Sequence, residues 1–384
     1  MPIRPEYAVE ADDVPEFWVT AIDDVLAFLE KTVSRGRLEQ VGLSAGGRPI
    51  WSVVYGEPRR GEGTTTFSGS LGCNDVKAYL GPDYEKRVLL AMAGVHGSEF
   101  EGIAGIVNLI SVIERGVDLR GKPWPGLADA AQRLDRLILI PIVNVDGRAR
   151  LPMRMEPYRG TDNIPHQYLT SGAWKDGTNI GWPACKRYIP LDFAQTEFPG
   201  SYCNDAGVNI QHDDFLGAPQ PETRALFTLI ARERPDLTLN MHTGAPRNDY
   251  YMRMLTPFVE EALVPVQKAF YRRLHTGLTL AGLQGSRDLD VEANPDRQPR
   301  VWPMNLDTAI NFLSGSLSVT IESPCHAFSG TNRQGGVVRH SPDQLIDAQL
   351  VAHEESMKFL LEYGGRHRWA PGHRPTMKEP VDRD

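Results

Sequence analysis

Four short apolar runs organise the chain. VLLAMAGV (88–95) and LILIPIV (137–143) are nearly continuous, while LTLNM (237–241) and SLSVTI (316–321) are shorter, the last alternating Leu317, Val319 and Ile321 with polar neighbours. Runs of this length between helical stretches predict strands of a largely parallel sheet covered on both faces. Phe100, Ile103, Ile106, Val107, Ile110 and Ile113 mark the buried face of a helix that follows the first run directly. Pro221 opens another helix over ETRALFTLIARE, at a position where a missing N–H is harmless. Ser341-Pro342-Asp343-Gln344 begins a long C-terminal helix with a capping box, closing near Gly364. Upstream, residues 14–34 have a mostly helical period in Phe17, Ile22, Val25, Leu26, Phe28 and Leu29. Leu38–Val41 and Ile50–Tyr55 then predict two strands around the turn-rich LSAGGRP.

Three of the four apolar runs hand over to a residue that can bind a metal or move a proton: His96, His242 and Glu322; the fourth ends at Asn144. In open α/β sheets ligands bind at the carboxyl ends of strands, so these side chains are candidates for one crevice. His96-Gly97-Ser98-Glu99 is an H-x-x-E at a strand-to-helix turn. Its i, i+3 spacing puts both side chains on one helical face, and the glycine permits a sharp turn. Two ligands from one short segment and a distant third, His242, leave a zinc position open for water, as catalytic zinc requires. Taken singly, each is also what a capping glutamate or a structural histidine looks like; together the four are far more specific.

Bulk composition narrows the classes. The chain has 384 residues, 41% hydrophobic and 23% charged, a globular balance. Its net charge of −8 gives no electrostatic reason to expect nucleic acid or a membrane surface as partner. No apolar run approaches membrane-spanning length, and MPIRPEYAVEADDVPEF is too polar for a signal peptide, which predicts a cytoplasmic protein. The cysteines Cys73, Cys185, Cys203 and Cys325 are widely spaced and predict free thiols. Gly42-Leu43-Ser44-Ala45-Gly46 matches the serine-hydrolase elbow, but a strand rather than a helix follows it, making Ser44 a hairpin residue.

Over roughly residues 35–362 the chain resembles the zinc carboxypeptidases related to carboxypeptidase A. The resemblance rests on the hairpin VGLSAGGRPIWSVVYG, HGSE, IPIVNVDG, QPETRAL, NMHTG and TIESP. It implies a single α/β domain over residues 1–364, with a mixed, mostly parallel sheet of about eight strands and helices on both faces. Residues 365–384 would be a loose tail. It also implies one zinc per chain on His96, Glu99 and His242, with Glu322 as general base. The family's oxyanion arginine follows a turn matched here by Asn144-Val145-Asp146-Gly147. Arg148, Arg150 and Arg154 are available, and spacing favours Arg154, then Arg150.

The pattern breaks at substrate recognition. The family's glycine-valine-aspartate-x-asparagine-arginine is matched by Gly207-Val208-Asn209-Ile210-Gln211-His212, so Asn209, Gln211 and His212 stand where the substrate carboxylate would be gripped. Histidine offers neither the fork nor the permanent charge of arginine. The family's tyrosine, about twenty residues before the catalytic glutamate, is missing; Arg297, Arg300 and Trp302 lie there instead, Arg300 being a candidate carboxylate partner. Residues 155–206 form an insertion, expected to be a loop or lid, with Tyr158, Tyr168, Trp174, Trp182, Tyr188 and Tyr202. The expected activity is hydrolysis of a peptide or amide bond, in the manner of a metallocarboxypeptidase. The alternatives are an N-acyl-amino-acid deacylase of the aspartoacylase or desuccinylase type, and a catalytically silent zinc-binding protein. The intact Glu322 favours an enzyme.

Overall fold

The computed structural model describes residues 3–182, 184–187, 190–244, 253–255, 263–283, 304–331 and 335–369. All four apolar runs become strands. The main sheet contains β1 (Arg37–Leu43), β2 (Pro49–Gly56), β3 (Val88–Ala93), β4 (Arg136–Ile140), β5 (Leu237–Thr243), β6 (Arg253–Leu255) and β7 (Leu317–Ser323), in the order β1-β2-β4-β3-β5-β7-β6. β4, β3, β5 and β7 are mutually parallel. β2 and β6 flank them antiparallel, and β1 pairs antiparallel with β2. Five of seven strands therefore share a direction, the mostly parallel sheet expected. Among the described residues it has seven strands, not about eight.

Helices cover both faces. Strand residues alternate sides, so Leu237, Leu239 and Met241 face one layer and Thr238, Asn240 and His242 the other. A Cβ on Gly102 would lie 2.9 Å from Met241 Cβ, so helix Phe100–Arg115 packs on the apolar side. Helix Pro342–Tyr363 lies against it, burying Phe100–Ile113 between sheet and outer layer. On the opposite side Asp307, in helix Leu306–Ser314, bonds Asn240 and Thr320. Helix Pro221–Glu233 packs against that helix and is tied to β4 by the buried pair Arg136–Glu233.

Some boundaries differ from expectation. The N-terminal helix spans Ile22–Thr32 rather than 14–34. Residues before it form turns and irregular chain packed on the core: Trp18 is buried and Phe17 O accepts from Asn108 Nδ2. The insertion is not wholly irregular, holding helix Ile164–Ser171 and a short ladder of Ala173–Trp174 with Thr196–Phe198. The capping box is formed at Ser341 and Gln344. All four cysteines are free. Among the described residues no helix is long and apolar enough to cross a membrane.

Residues 365–369 do not belong to a loose tail. Arg366 is fully buried, its backbone N–H and Nε donating to Asp236 Oδ1 at 2.9 and 3.4 Å. Asp236 Oδ2 accepts from Arg59 Nη2 and from Val88 N–H, both at 2.9 Å, which fastens the starts of β3 and β5 to the segment that follows helix Pro342–Tyr363. Burial alone would raise the Asp236 pKa, but Arg59 and Arg366 outweigh it and hold the carboxyl below 3.8. A depressed carboxylate stabilises the fold fully above its unfolded pKa, and that stability is lost as pH falls through the folded value. Asp236→Asn should therefore destabilise the protein by roughly 3–5 kcal/mol at neutral pH. Its thermal midpoint should fall less steeply than the parent's below about pH 4; parallel slopes in scanning calorimetry would contradict this.

Candidate metal centre

His96 follows β3 at the end of the Gly94-Val95 link, and Glu99 is the N-cap of helix Phe100–Arg115. The turn between them fits against the 144–148 turn. A Cβ at Gly97 would sit 2.2 Å from the Gly147 carbonyl carbon and 2.3 Å from Arg148 N, so only glycine allows this approach. The Gly97 N–H donates to Ser201 O at 3.0 Å, joining the turn to the end of the insertion. His242 stands in β5, on the polar side of the sheet.

These three side chains converge: one ligand atom from each of His96, Glu99 and His242 lies within 4.8 Å of the others, and all three residues are buried. His96 Nδ1 is 2.7 Å from Glu99 Oε1 and His242 Nδ1 is 2.8 Å from Glu99 Oε2. The far side of His96 fixes its tautomer. Nε2 lies 3.1 Å from Asn209 Oδ1, which also accepts from Gln211 N–H and so is an acceptor. Nε2 thus carries a proton, and Nδ1, turned toward Glu99, is the ring nitrogen whose lone pair a bound ion would take. Burial would raise the Glu99 pKa, but the two histidines, by charge and hydrogen bonding, bring it to about 2. Burial would lower His242, but Glu99 lifts it to about 9. Among the described residues His242 Nε2 is buried without a hydrogen-bond partner. Two imidazoles and a carboxylate, preorganised in a buried site, fit a divalent cation of zinc's ligand preference.

Glu322 is the register partner of His242 in the parallel β5–β7 pairing, so both side chains stand on the same face. Its charge acts on His242 and on Tyr202. A Cβ on Gly244 would lie 3.4 Å from Glu322 Oε2, so the backbone after His242 passes close to this carboxylate.

Other expected residues lie elsewhere. Arg154, expected at the oxyanion, donates from Nε to Glu10 Oε2 at 3.0 Å in a half-exposed ion pair. Arg150 donates to the carbonyls of Gly200 and Cys203 and to Asp205 Oδ1, holding the end of the insertion rather than a substrate. Arg148 is buried, donating to the carbonyls of Thr20, Leu151 and Met153. Asn209 is behind His96, orienting it. Gln211 is buried, donating to Asp307 Oδ2 and accepting from Asn240 Nδ2. Both therefore support the centre from within instead of facing a substrate. His212 is half-buried; burial first, then the Lys186 ammonium, bring its pKa to about 3. Arg297, Arg300 and Trp302 lie outside the described residues.

The least anticipated feature is Tyr202. Its ring stacks on His96 at 4.1 Å between centroids, and its hydroxyl pKa is raised by burial and by Glu99, Cys185 and Glu322. Tyr202 was visible only as one aromatic among many in a segment without period.

The fold has close counterparts among solved structures. A metallo-carboxypeptidase from Burkholderia cenocepacia superposes with a TM-score of 0.53 at 15% identity, over 89% of this chain and 69% of that one. A metallo-carboxypeptidase from Pseudomonas aeruginosa, in complex with (2-guanidinoethylmercapto)succinic acid, matches with the same TM-score, identity and coverage. This chain has the metallocarboxypeptidase fold. No family model and no curated protein matches its sequence. At this identity the likeness extends to the fold alone. Within the metallocarboxypeptidase fold the His–Glu–His cluster sits at the carboxyl ends of β3 and β5. If Asn209 orients His96 as a ligand, Asn209→Ala should weaken zinc binding about 10- to 100-fold, measured by chelator competition. Unchanged affinity would remove that role.

Proposed function

We propose that the protein is a zinc-dependent hydrolase of amide bonds, acting in the manner of a metallocarboxypeptidase. The observation that carries this reading is the pairing of His242 with Glu322: a carboxylate on the neighbouring parallel strand, in register with a candidate ligand and on its face. A binding module has no use for a base there. His96, Glu99 and His242 would hold the ion, with Asn209 fixing the His96 ring. Zinc so bound would polarise the scissile carbonyl and bring the pKa of a water toward neutrality. Glu322 takes the proton of the attacking water at a carboxylate oxygen and delivers it to the departing amine nitrogen. Tyr202 covers one face of His96 and keeps bulk water from it.

A second reading is deacylation of N-acyl amino acids. What favours it is His212, held neutral where the resemblance would put a carboxylate-gripping arginine, so the arginine-based test for a peptide C-terminus is missing.

Elemental analysis and a hydrolysis screen of C-terminal peptides against N-acyl amino acids test the proposal. The expected result is one zinc per chain, activity abolished by chelation and restored by zinc. Glu322→Gln should keep its zinc and lose about 10²- to 10⁴-fold in kcat. Full activity after chelation, or in Glu322→Gln, would sink the reading.

A further inference from the structure

The end of the sheet opposite the candidate metal centre holds a buried excess of positive charge. Arg59, Arg234 and Arg366 are all buried and gather around one carboxylate, Asp236. Asp236 meets Arg59 through Oδ2 at 2.9 Å and Arg366 through Oδ1 at 3.4 Å. Both of these guanidiniums also donate to the main-chain carbonyl of Arg234, which makes the three residues one cluster. Arg234 makes no ion pair among the described residues. Its Nη1 donates to the carbonyls of Tyr79 and Leu80 at 3.1 and 3.0 Å, and its Nη2 to Gly61 O at 2.7 Å. Glu233, the preceding residue, is held between Arg136 and Arg232. The Nε–H groups of Arg59 and Arg234 are buried with no acceptor among the described residues. Elsewhere in this chain Arg4 and Arg136 each set Nε and Nη2 together on a carboxylate.

Arg59 and Arg234 line a cleft of about 630 Å³, which Arg232, Thr65 and Glu62 also line. Arg234 closes helix Pro221–Glu233 with a φ of +48°, a left-handed conformation costly to any residue but glycine. Glycine would end the helix without strain, whereas arginine keeps a cation at the cleft. Glu62 is exposed and makes no ion pair among the described residues, so it leaves the buried charge uncompensated, which is costly. Three guanidiniums against one carboxylate leave two positive charges. A phosphate group carries about −1.5 to −2 at neutral pH and suits the planar donors of arginine. We propose that this cleft binds a phosphate group, free or carried by a small molecule, with Arg59 and Arg234 supplying the charge. The cluster lies at the amino ends of β3 and β5, where Asp236 bonds Val88, while His96 and His242 stand at the carboxyl ends. Six residues of β3 put roughly 20 Å between the two sites, so this ligand is not the substrate of the metal centre.

Titration calorimetry on the full chain, with inorganic phosphate added in chloride buffer of matched ionic strength, tests the site. Phosphate should bind with millimolar or tighter affinity. That binding should persist in His242→Ala, where the candidate metal centre is broken, which separates the cleft from an ion at that centre. Arg234→Gly suits the local backbone and should weaken binding about 10-fold or more, as when a hydrogen bond to a charged group is lost. Glu62→Gln changes only an exposed side chain and should tighten binding about 2- to 5-fold by removing a like charge. Glycerol 3-phosphate as a second titrant distinguishes the sources: tighter binding than phosphate assigns the cleft to a monoester, weaker binding to the free ion. No saturable binding of either titrant, binding that vanishes in His242→Ala, or affinity unmoved by both Arg234→Gly and Glu62→Gln would overturn the proposal. None of these readouts depends on amide hydrolysis.

Discussion

The candidate site depends on the register between β5 and β7. Thr238 faces Ser318, Asn240 faces Thr320 and His242 faces Glu322, all on one side of the sheet. A slip of one residue would turn Glu322 to the opposite face and put Ile321 or Ser323 beside His242. Main-chain hydrogen bonding alone is indifferent to such a slip, so side chains must forbid it. On the apolar side Leu237, Leu239 and Met241 pair with Leu317, Val319 and Ile321, all fully buried. Reversing either strand would put polar groups into that layer unpaired, at a cost of roughly 1–3 kcal/mol each.

The polar side is fixed more specifically. Asp307 Oδ1 accepts from Ser318 Oγ, while Oδ2 accepts from Thr320 Oγ1, Asn240 Nδ2 and Gln211 Nε2. One buried carboxylate so gathers both central strands, its own helix and the 210–212 turn. The same turn carries Asn209, whose carboxamide orients His96. The register that sets Glu322 beside His242 and the tautomer that frees His96 Nδ1 are therefore parts of one hydrogen-bonded body. A buried network of this kind rigidifies only when each member is satisfied, because unpaired groups are costly in a low dielectric.

The sheet, its helical covering and the convergence of His96 with Glu99 were legible because each is a local signal. Apolar runs of five to eight residues marked β3, β4, β5 and β7, and H-x-x-E holds its two groups within one turn. The arginines were not legible. Arg148, Arg150 and Arg154 occupy neighbouring positions of a segment without period, and which partner each finds depends on residues far away in sequence: Thr20, Gly200 with Asp205, and Glu10. Asn209 and Gln211 were assigned to the substrate because they occupy a recognition motif. Their roles turn on which way a single helical turn faces, and here both face inward. The fate of residues 365–369 was hidden for a similar reason: nothing in Arg366 itself announces a buried partner at Asp236.

The insertion then divides the labour. Its end is clamped to the catalytic framework by Gly97 N–H on Ser201 O and by Asn144 Nδ2 on Tyr202 O, while Arg150 and Asp205 brace it from outside. Tyr202 is therefore as fixed as the turn it stacks upon. Trp182 and Lys186 lie further out, the tryptophan more than half exposed and the lysine on a flexible stem. Exposure rises from His96 toward Trp182 along the run of rings through Tyr202. A site built this way keeps the candidate catalytic groups within the packed sheet, where geometry must hold to fractions of an ångström. The parts of the insertion furthest from the cluster lie on the surface, where sequence change disturbs no buried network. That arrangement accounts for a chain that retains the catalytic pattern of the resemblance while departing from it at recognition.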